Sequence, residues 1–354
     1  MGQTVVKGIE NLTDFVHGEK ILLVRGNSFN SLGIRNYFDS LNYVEFTEVS
    51  PNPLYEQVCK GVDFFNQEKC ETIIAVGGGS SIDVAKCIKL FCKMDRDKNY
   101  LEQEKADSGI KLIAIPTTAG TGSESTVHAV IYYNGVKQSI SHSSILPDYA
   151  ILEPSVLKYL PVYQKKCTML DALSQAIESW WSVNSSDESI EFSRKAISRI
   201  KAFWEAYIFE NDPSAADKIM EAANYAGRAI NITATTAAHA MSYKLSSSYG
   251  LPHGHAVAIC MPEAWRYILE HVDESTDNRG AGFTLETMEQ IADSISLEEF
   301  NSMLDRMHIS HPASKDKATE VEMLSHSVNT TRLKNYPMPV TIESLKKMYE
   351  RIIK

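Results

Sequence analysis

The sequence predicts an α/β fold for the N-terminal part of the chain and an all-α fold for the rest, on three observations. Over the first 150 or so residues, short apolar runs closed by Gly or Pro alternate with amphipathic stretches. Beyond about residue 155 only long helical patterns remain. The chain has 354 residues, 44% of them hydrophobic and 23% charged, enough for about two domains with cores of their own. We therefore expect an α/β domain over 1–155 and a helical domain over 156–354, with the boundary near "ILEPSVLKYLP".

The elements follow in order. "KILLVRG" (20–26) reads as a buried strand ending in glycine, and "SFNSLGIRNYFDSL" as the helix after it. "YVEFTEV" (43–49) is a second strand, and "LYEQVCKGVDFFNQ" carries apolar residues at helical spacing. "TIIAVGGG" and "KLIAIPTT" are continuous apolar strands, the pattern of a parallel sheet buried on both faces. "HAVIYYNGVKQSIS" reads as a β-ribbon turning at Asn–Gly. In the second half, "PVYQKKCTMLDALSQAIESWWSV", "SIEFSRKAISRIKAFWEAYIF", "SAADKIMEAANYAGRAIN" and "LETMEQIADSI" are helices.

Composition excludes several functions. A net charge of −10 argues against a nucleic-acid-binding surface, although a local basic pocket for a small anion is compatible with it. Six cysteines without CxxC spacing read as reduced thiols of a cytosolic protein. "MGQTVVKGIENL" has no basic region followed by an apolar run, so no signal peptide is expected, and Val6 stands where a myristoylation signal has Ser or Thr. No stretch of 18 apolar residues is present, so we expect a cytoplasmic protein with no membrane partner.

Two loops carry candidate phosphate chemistry. In "IIAVGGGSSIDVAK" (73–86) a strand, three glycines and two serines lead into a helix. Glycines let backbone approach a phosphate, and the first helical turn supplies donors at the positive end of its dipole. A tight turn with a serine cap explains the same residues. The second loop, "IPTTAGTGSES" (115–125), follows another strand and belongs at the same sheet edge, outside the carboxyl ends where ligands bind. The candidate contacts are Gly78, Gly79, Ser80 and Asp83, with Thr117, Thr118, Thr121 and Ser123 opposite. GxGxxG is absent.

Three histidines, His239, His253 and His255, lie in "ATTAAHAMSYKLSSSYGLPHGHAVA". Asp171 and Gln175 sit one turn apart in the apolar helix "DALSQAIESWW". Imidazoles with a carboxylate suit a first-row divalent ion, and an unpaired buried carboxylate is costly. Structural histidines would account for the spacing equally well.

These motifs, with "NPLYEQVCKG", "LPDYAILEP", "DALSQAIES", "PHGHAVA" and "RLKNYPMPVT", resemble in order those of the iron-containing (group III) alcohol dehydrogenases, relatives of the dehydroquinate synthases. The resemblance covers nearly the whole chain. It implies an N-terminal dinucleotide-binding domain, a helical domain, and a divalent metal in the cleft between them. The ligands it implies are Asp171, His239 and His253. Where the iron-dependent branch has a fourth ligand, a histidine, this chain has Gln175, as glycerol dehydrogenases also lack that histidine and bind zinc. Gln175 is then a weak fourth ligand or a hydrogen-bond partner, and the metal is zinc or iron. Tyr243 replaces another cleft histidine and is either a packed aromatic or a proton relay.

In NAD-using relatives the strand equivalent to "KILLVRG" ends in aspartate; here it ends in Gly26, followed by Asn27 and Ser28. Glycine removes the repulsion of a 2′-phosphate, and Arg25 is at hand, so NADPH is expected ahead of NADH. Glycine closing a tight turn is compatible with the same residue. Lys137 matches a family lysine near the nicotinamide ribose. The substrate expected is a small aldehyde or alcohol. The helical motifs look most like the branch that reduces phosphonoacetaldehyde to 2-hydroxyethylphosphonate, for which Arg228, Lys244 and His142 are candidate anion contacts alongside Lys137. The alternatives are a glycerol or simple-alcohol dehydrogenase, and a nucleotide-binding protein that has lost its metal through Gln175. The oligomeric state, a homo-oligomer included, is left open.

Overall fold

The computed structural model describes residues 2–354. The chain divides into two compact units, Met1–Leu160 with Asn211–Asn224, and Pro161–Glu210 with Tyr225–Lys354.

The first unit is built on a six-stranded, all-parallel sheet. Its strands are β1 (Thr4–Lys7), β2 (Ile21–Arg25), β3 (Tyr43–Phe46), β4 (Thr72–Gly77), β5 (Lys111–Pro116) and, after a two-stranded ribbon, β8 (Tyr149–Leu152), in the order β1-β8-β5-β4-β2-β3. The central strands are buried on both faces from Ile21 to Val24, Ile73 to Val76 and Leu112 to Ile115, the condition that makes their sequences continuously apolar. Helices α1 (Tyr55–Gln67) and α2 (Gly79–Phe91) follow β3 and β4. The ribbon, β6 (His128–Tyr133) with β7 (Val136–Ser141), is antiparallel and turns at Asn134–Gly135, both with positive φ (50° and 73°) as the favoured hairpin turn requires.

One expectation is corrected. Residues 28–41 form no α-helix; they make 3₁₀ turns at Asn27–Ser31 and Arg35–Phe38, divided by Gly33 at φ 71°. The apolar spacing there serves to bury Phe29 and Phe38, whose rings meet edge to face at 5.2 Å. Strands β1 and β8, neighbours at one side of the sheet and unread in the sequence, are only four residues each, and β1 is largely exposed.

Among the described residues no strand follows Leu152. The helices are α3 (Val162–Trp181), α4 (Asp187–Glu205), α5 (Pro213–Thr233), α6 (Ala237–Tyr249), α7 (His253–His271) and α8 (Ala281–Ser294), then shorter ones at Leu297–Arg306, Lys317–His326, Thr330–Leu333 and Ile342–Ile352. The first half of α5 is tied into the sheet unit: Asp217 pairs with Lys7 of β1 at 3.0 Å, and Asn224 Nδ2 donates to Ser125 Oγ at 2.6 Å. Among the described residues no helix is long and apolar enough to cross a membrane.

Candidate nucleotide edge and candidate metal centre

In the sheet unit, β2, β4 and β5 end in register, Arg25 beside Val76 and Gly77 beside Pro116. This edge therefore carries Gly26 and both glycine-rich loops. Helix α2 begins at Gly79 with no side-chain cap on its first turn, which leaves the positive end of its dipole to the loop. The loops touch: a Cβ on Gly78 would lie 3.5 Å from Thr118, and one on Gly79 would lie 3.0 Å from Thr121. Both glycines, with Thr118 and Thr121, thus occupy one small surface at the helix N-terminus. Thr117 is buried and its N–H donates to Gly77 O at 3.0 Å, which fixes where the second loop leaves the sheet.

Asp83 and Ser123 face each other rather than outward. Ser123 Oγ donates to Asp83 Oδ1 at 2.6 Å, and the Val130 N–H donates to Oδ2 at 3.0 Å. Burial raises the Asp83 pKa, with the nearby Lys86 acting against it. Sequence reasoning left Lys86 without a role. It is fully buried, its Nζ donates to Thr126 O and His128 O at 2.7 Å each, and burial pushes its pKa down to about 8. Asp83 and Lys86, one turn apart on α2, hold the second loop and β6 in place.

Gly26 has φ −82° and ψ 173°, extended backbone open to any residue, and a Cβ there would meet only Ser81 Oγ at 3.6 Å. The turn does not require glycine. Asn27 and Ser28 are exposed beside it. Arg25 is engaged: its Nε donates to Glu45 Oε2 at 3.1 Å, and Arg35 reaches Glu45 Oε1 at 3.5 Å. One carboxylate thus serves two guanidiniums, leaving an excess of positive charge. Lys137 lies on β7, paired with Tyr132, and its charge reaches Asp83. His142 caps the next turn, its Nδ1 accepting from the Ser144 N–H at 3.3 Å.

In the helical unit, Asp171, Gln175 and Glu178 repeat at i, i+4 and i+7 along α3, so they share a face. All three are buried. His239 lies in the first turn of α6 and His253 is the first residue of α7. Asp171 Oδ1 stands 3.2 Å from His239 Nε2 and 3.8 Å from His253 Nε2. Asp171, His239 and His253 are brought together, with one donor atom from each lying within 4.8 Å of the others. The close approach of α7 to α3 depends on Gly254, because a Cβ there would overlap the Cys167 carbonyl. Asp171 and His239 are nearly inaccessible, whereas the His253 side chain is 42% exposed, so the group opens to one side. Tyr243 stacks on His253, ring centroids 5.9 Å apart and planes within 9°.

Glu178 was missed, although its i+7 spacing from Asp171 was the available signal. Its Oε1 accepts from the N–H groups of Thr236 (3.1 Å) and Ala238 (3.0 Å) and from Thr236 Oγ1 (2.7 Å), and its Oε2 meets His239 Nδ1. Burial works against the charged imidazole, yet the Glu178 and Asp171 carboxylates outweigh it and push the His239 pKa up to about 10. Burial likewise opposes ionisation of Asp171, and His253 with His239 brings its pKa below the ordinary value. Gln175 gives Asp171 a hydrogen bond.

The remaining candidates have other settings. His255 bridges Tyr163 OH (2.7 Å, on Nδ1) and Ser310 O (2.8 Å, on Nε2), which occupies both ring nitrogens. Arg228 lays its guanidinium on the Phe192 ring at 4.1 Å. Lys244 is exposed and follows His239 by five residues, about 140° round the helix. None of these settings is a contact with Asp171, His239 or His253.

One carboxylate and two imidazoles at these separations fit a divalent ion with bonds of about 2.0–2.2 Å, with room left for a fourth partner on the His253 side. A parallel sheet with two phosphate-type loops at one edge, followed in sequence by a helical unit with this donor set, defines the two-part architecture of a group III dehydrogenase. The chain belongs to the iron-containing alcohol dehydrogenase family. The profile of that family matches residues 2–154, and that of the Fe-containing alcohol dehydrogenase C-terminal region matches 165–352. Among curated relatives, the probable alcohol dehydrogenase EutG of Escherichia coli is 33% identical over 221 residues, 61% of this chain and 56% of that protein, so the match spans little more than half of that relative. The NAD-dependent methanol dehydrogenase of Bacillus methanolicus is 30% identical over 280 residues, 76% of this chain and 74% of that protein. Among solved structures, sulfoacetaldehyde reductase from Bifidobacterium kashiwanohense in complex with NAD+ superimposes with a TM-score of 0.85 at 25% identity, covering 99% of this chain and 96% of that one.

Proposed function

We propose that this chain is an NAD(P)H-linked reductase of small aldehydes that works with one divalent ion, zinc or iron, held by Asp171, His239 and His253. The observation that carries this reading is the convergence of those three donors around Asp171 Oδ1 in a family of alcohol dehydrogenases. When bound, the ion supplies Lewis-acid polarisation of the carbonyl, and the reduced nicotinamide supplies hydride. The residues set up the rest. Asp171 and His239 are buried in the helical unit, which keeps their geometry fixed, and the exposed side of His253 is where substrate can enter. Tyr243, stacked parallel to the His253 ring, is the phenol that would hand a proton to the product oxygen. Gly78, Gly79, Ser80, Thr118 and Thr121, gathered at the α2 N-terminus, are the residues that would hold the pyrophosphate of a dinucleotide.

NADPH is the preferred cofactor in this reading. Gly26 is not required by its backbone, and the absence of a carboxylate at this position is compatible with a 2′-phosphate. Arg25 and Arg35, sharing one Glu45, add a positive field to which a 2′-phosphate can bind. The substrate is a two-carbon aldehyde with an anionic group, phosphonoacetaldehyde first. The motif likeness supports this, as does similarity to a reductase of sulfoacetaldehyde. A simple alcohol is the second reading, favoured by the methanol dehydrogenase relative. The test is NADPH oxidation with a panel of phosphonoacetaldehyde, sulfoacetaldehyde, glyceraldehyde, acetaldehyde and formaldehyde. The highest kcat/KM is expected for phosphonoacetaldehyde, and a preference for acetaldehyde or formaldehyde would favour the second reading.

Gln175 is testable separately. A neutral amide engaged with Asp171 is a poor fourth ligand, so Gln175→Ala should keep most of the metal through dialysis, whereas Gln175→His should tighten zinc binding by about tenfold or more. Complete metal loss in Gln175→Ala would make the amide a ligand in its own right.

A further inference from the structure

Glu178 is a fully buried carboxylate that the proposed chemistry does not use. Its Oε1 replaces an ordinary N-cap for α6: the N-cap residue Thr236 makes no side-chain cap bond of its own, and the orphan N–H groups of Thr236, Ala238 and His239 all donate to this one oxygen from α3. A serine or aspartate at position 236 would cap the helix without burying a charge from another element. Burying a carboxylate is costly unless donors surround it, so capping alone is a poor reason for Glu178. The other oxygen supplies what a local cap could not. Oε2 meets His239 Nδ1, while Nε2 of the same ring faces Asp171 at 3.2 Å.

We propose that Glu178 is a positioning residue: by taking the Nδ1–H of His239 it fixes the ring so that Nε2 presents its lone pair at the point shared with Asp171 and His253. This inference rests on the reading of those three residues as a metal site. A neutral histidine has one N–H and one lone pair, so a partner that accepts at Nδ1 decides which nitrogen can bind a cation, and a charged partner also makes that nitrogen a better donor. One carboxylate thus serves two ends: Oε1 starts α6, and Oε2 aims the first-turn histidine of the same helix.

The test is zinc binding by the purified, metal-stripped full chain, measured by competition with a chromophoric chelator alongside thermal unfolding. Glu178→Gln keeps the shape. Its amide must point an N–H either at His239 Nδ1, leaving the ring to carry its proton on Nε2, or at the α6 N–H groups. The expected result is a 10- to 100-fold weaker zinc affinity, with the amide preserving most of the fold. Thr236→Val is the structural control: it removes one donor to Oε1 without touching the His239 contact. It should lower Tm and leave zinc affinity within about twofold. The ring is read directly by histidine ¹⁵N NMR of the zinc-loaded wild type, with Nε2 coordinated and a proton on Nδ1 expected. Coordination through Nδ1, or zinc affinity unchanged in Glu178→Gln, overturns the role of Glu178 alone. A wild type that binds no zinc overturns it together with the metal-site reading.

Discussion

Asp171→Ala and His253→Ala should each yield a protein with no bound divalent ion and less than about a thousandth of wild-type turnover. Asp171 Oδ1 is the atom both imidazoles face, so its removal leaves two neutral ligands that water displaces from a first-row ion. The catalytic loss follows from removing Lewis-acid stabilisation, worth several kcal/mol in the transition state, where about 4 kcal/mol is a factor near a thousand. His253→Ala is the cleaner variant. Its side chain is 42% exposed, so Tm should change little while metal and activity disappear. Asp171→Ala will also disturb stability, because it strips His239 and Gln175 of a buried partner. Metal analysis, turnover and thermal unfolding of the two variants check this together; either variant with full metal and full rate would place the site elsewhere.

Gly26→Asp should reverse the cofactor preference. The side chain enters extended backbone and meets only Ser81 Oγ at 3.6 Å, so Tm is expected to hold within a few degrees. A carboxylate there would repel a 2′-phosphate by about 1–3 kcal/mol in a partly screened setting, roughly a ten- to hundredfold loss of kcat/KM with NADPH. NADH should lose little or gain, because the carboxylate can accept from the ribose hydroxyls. Partial pairing of the new aspartate with Arg25, already shared with Glu45, would pull the effect toward the lower end. A wild type that turns over NADH better than NADPH would contradict the role given to Gly26.

The central strands were legible because burial on both faces leaves a continuous apolar run that no polar residue interrupts, as in Ile73–Val76. Strands β1 and β8 escaped because each is four residues long, too short for a pattern, and β1 exposes most of its side chains. Residues 28–41 misled because burying Phe29 and Phe38 needs apolar residues at a spacing that two 3₁₀ turns satisfy as well as a helix does. The return of Asn211–Asn224 to the sheet unit rests on partners such as Lys7 and Asp217, 210 residues apart, which no local pattern encodes.

The site divides in the same way. Asp171 and Gln175 stood out because polar side chains one turn apart in an apolar helix need a reason, and motif likeness pointed to His239 and His253. Glu178 lay on the same face one turn further on. Its purpose becomes visible only once α6 is seen to begin against it. His255 shows the converse: its type and position suit a ligand, but Tyr163 and Ser310 take both nitrogens.

The most direct measurement is anomalous diffraction from crystals of the zinc-loaded protein, collected on either side of the zinc absorption edge. The expected result is one strong peak within about 2.0–2.2 Å of Asp171 Oδ1, His239 Nε2 and His253 Nε2. A zinc peak elsewhere, or none at these three atoms in protein that is turning over aldehyde, would contradict the assignment of this site.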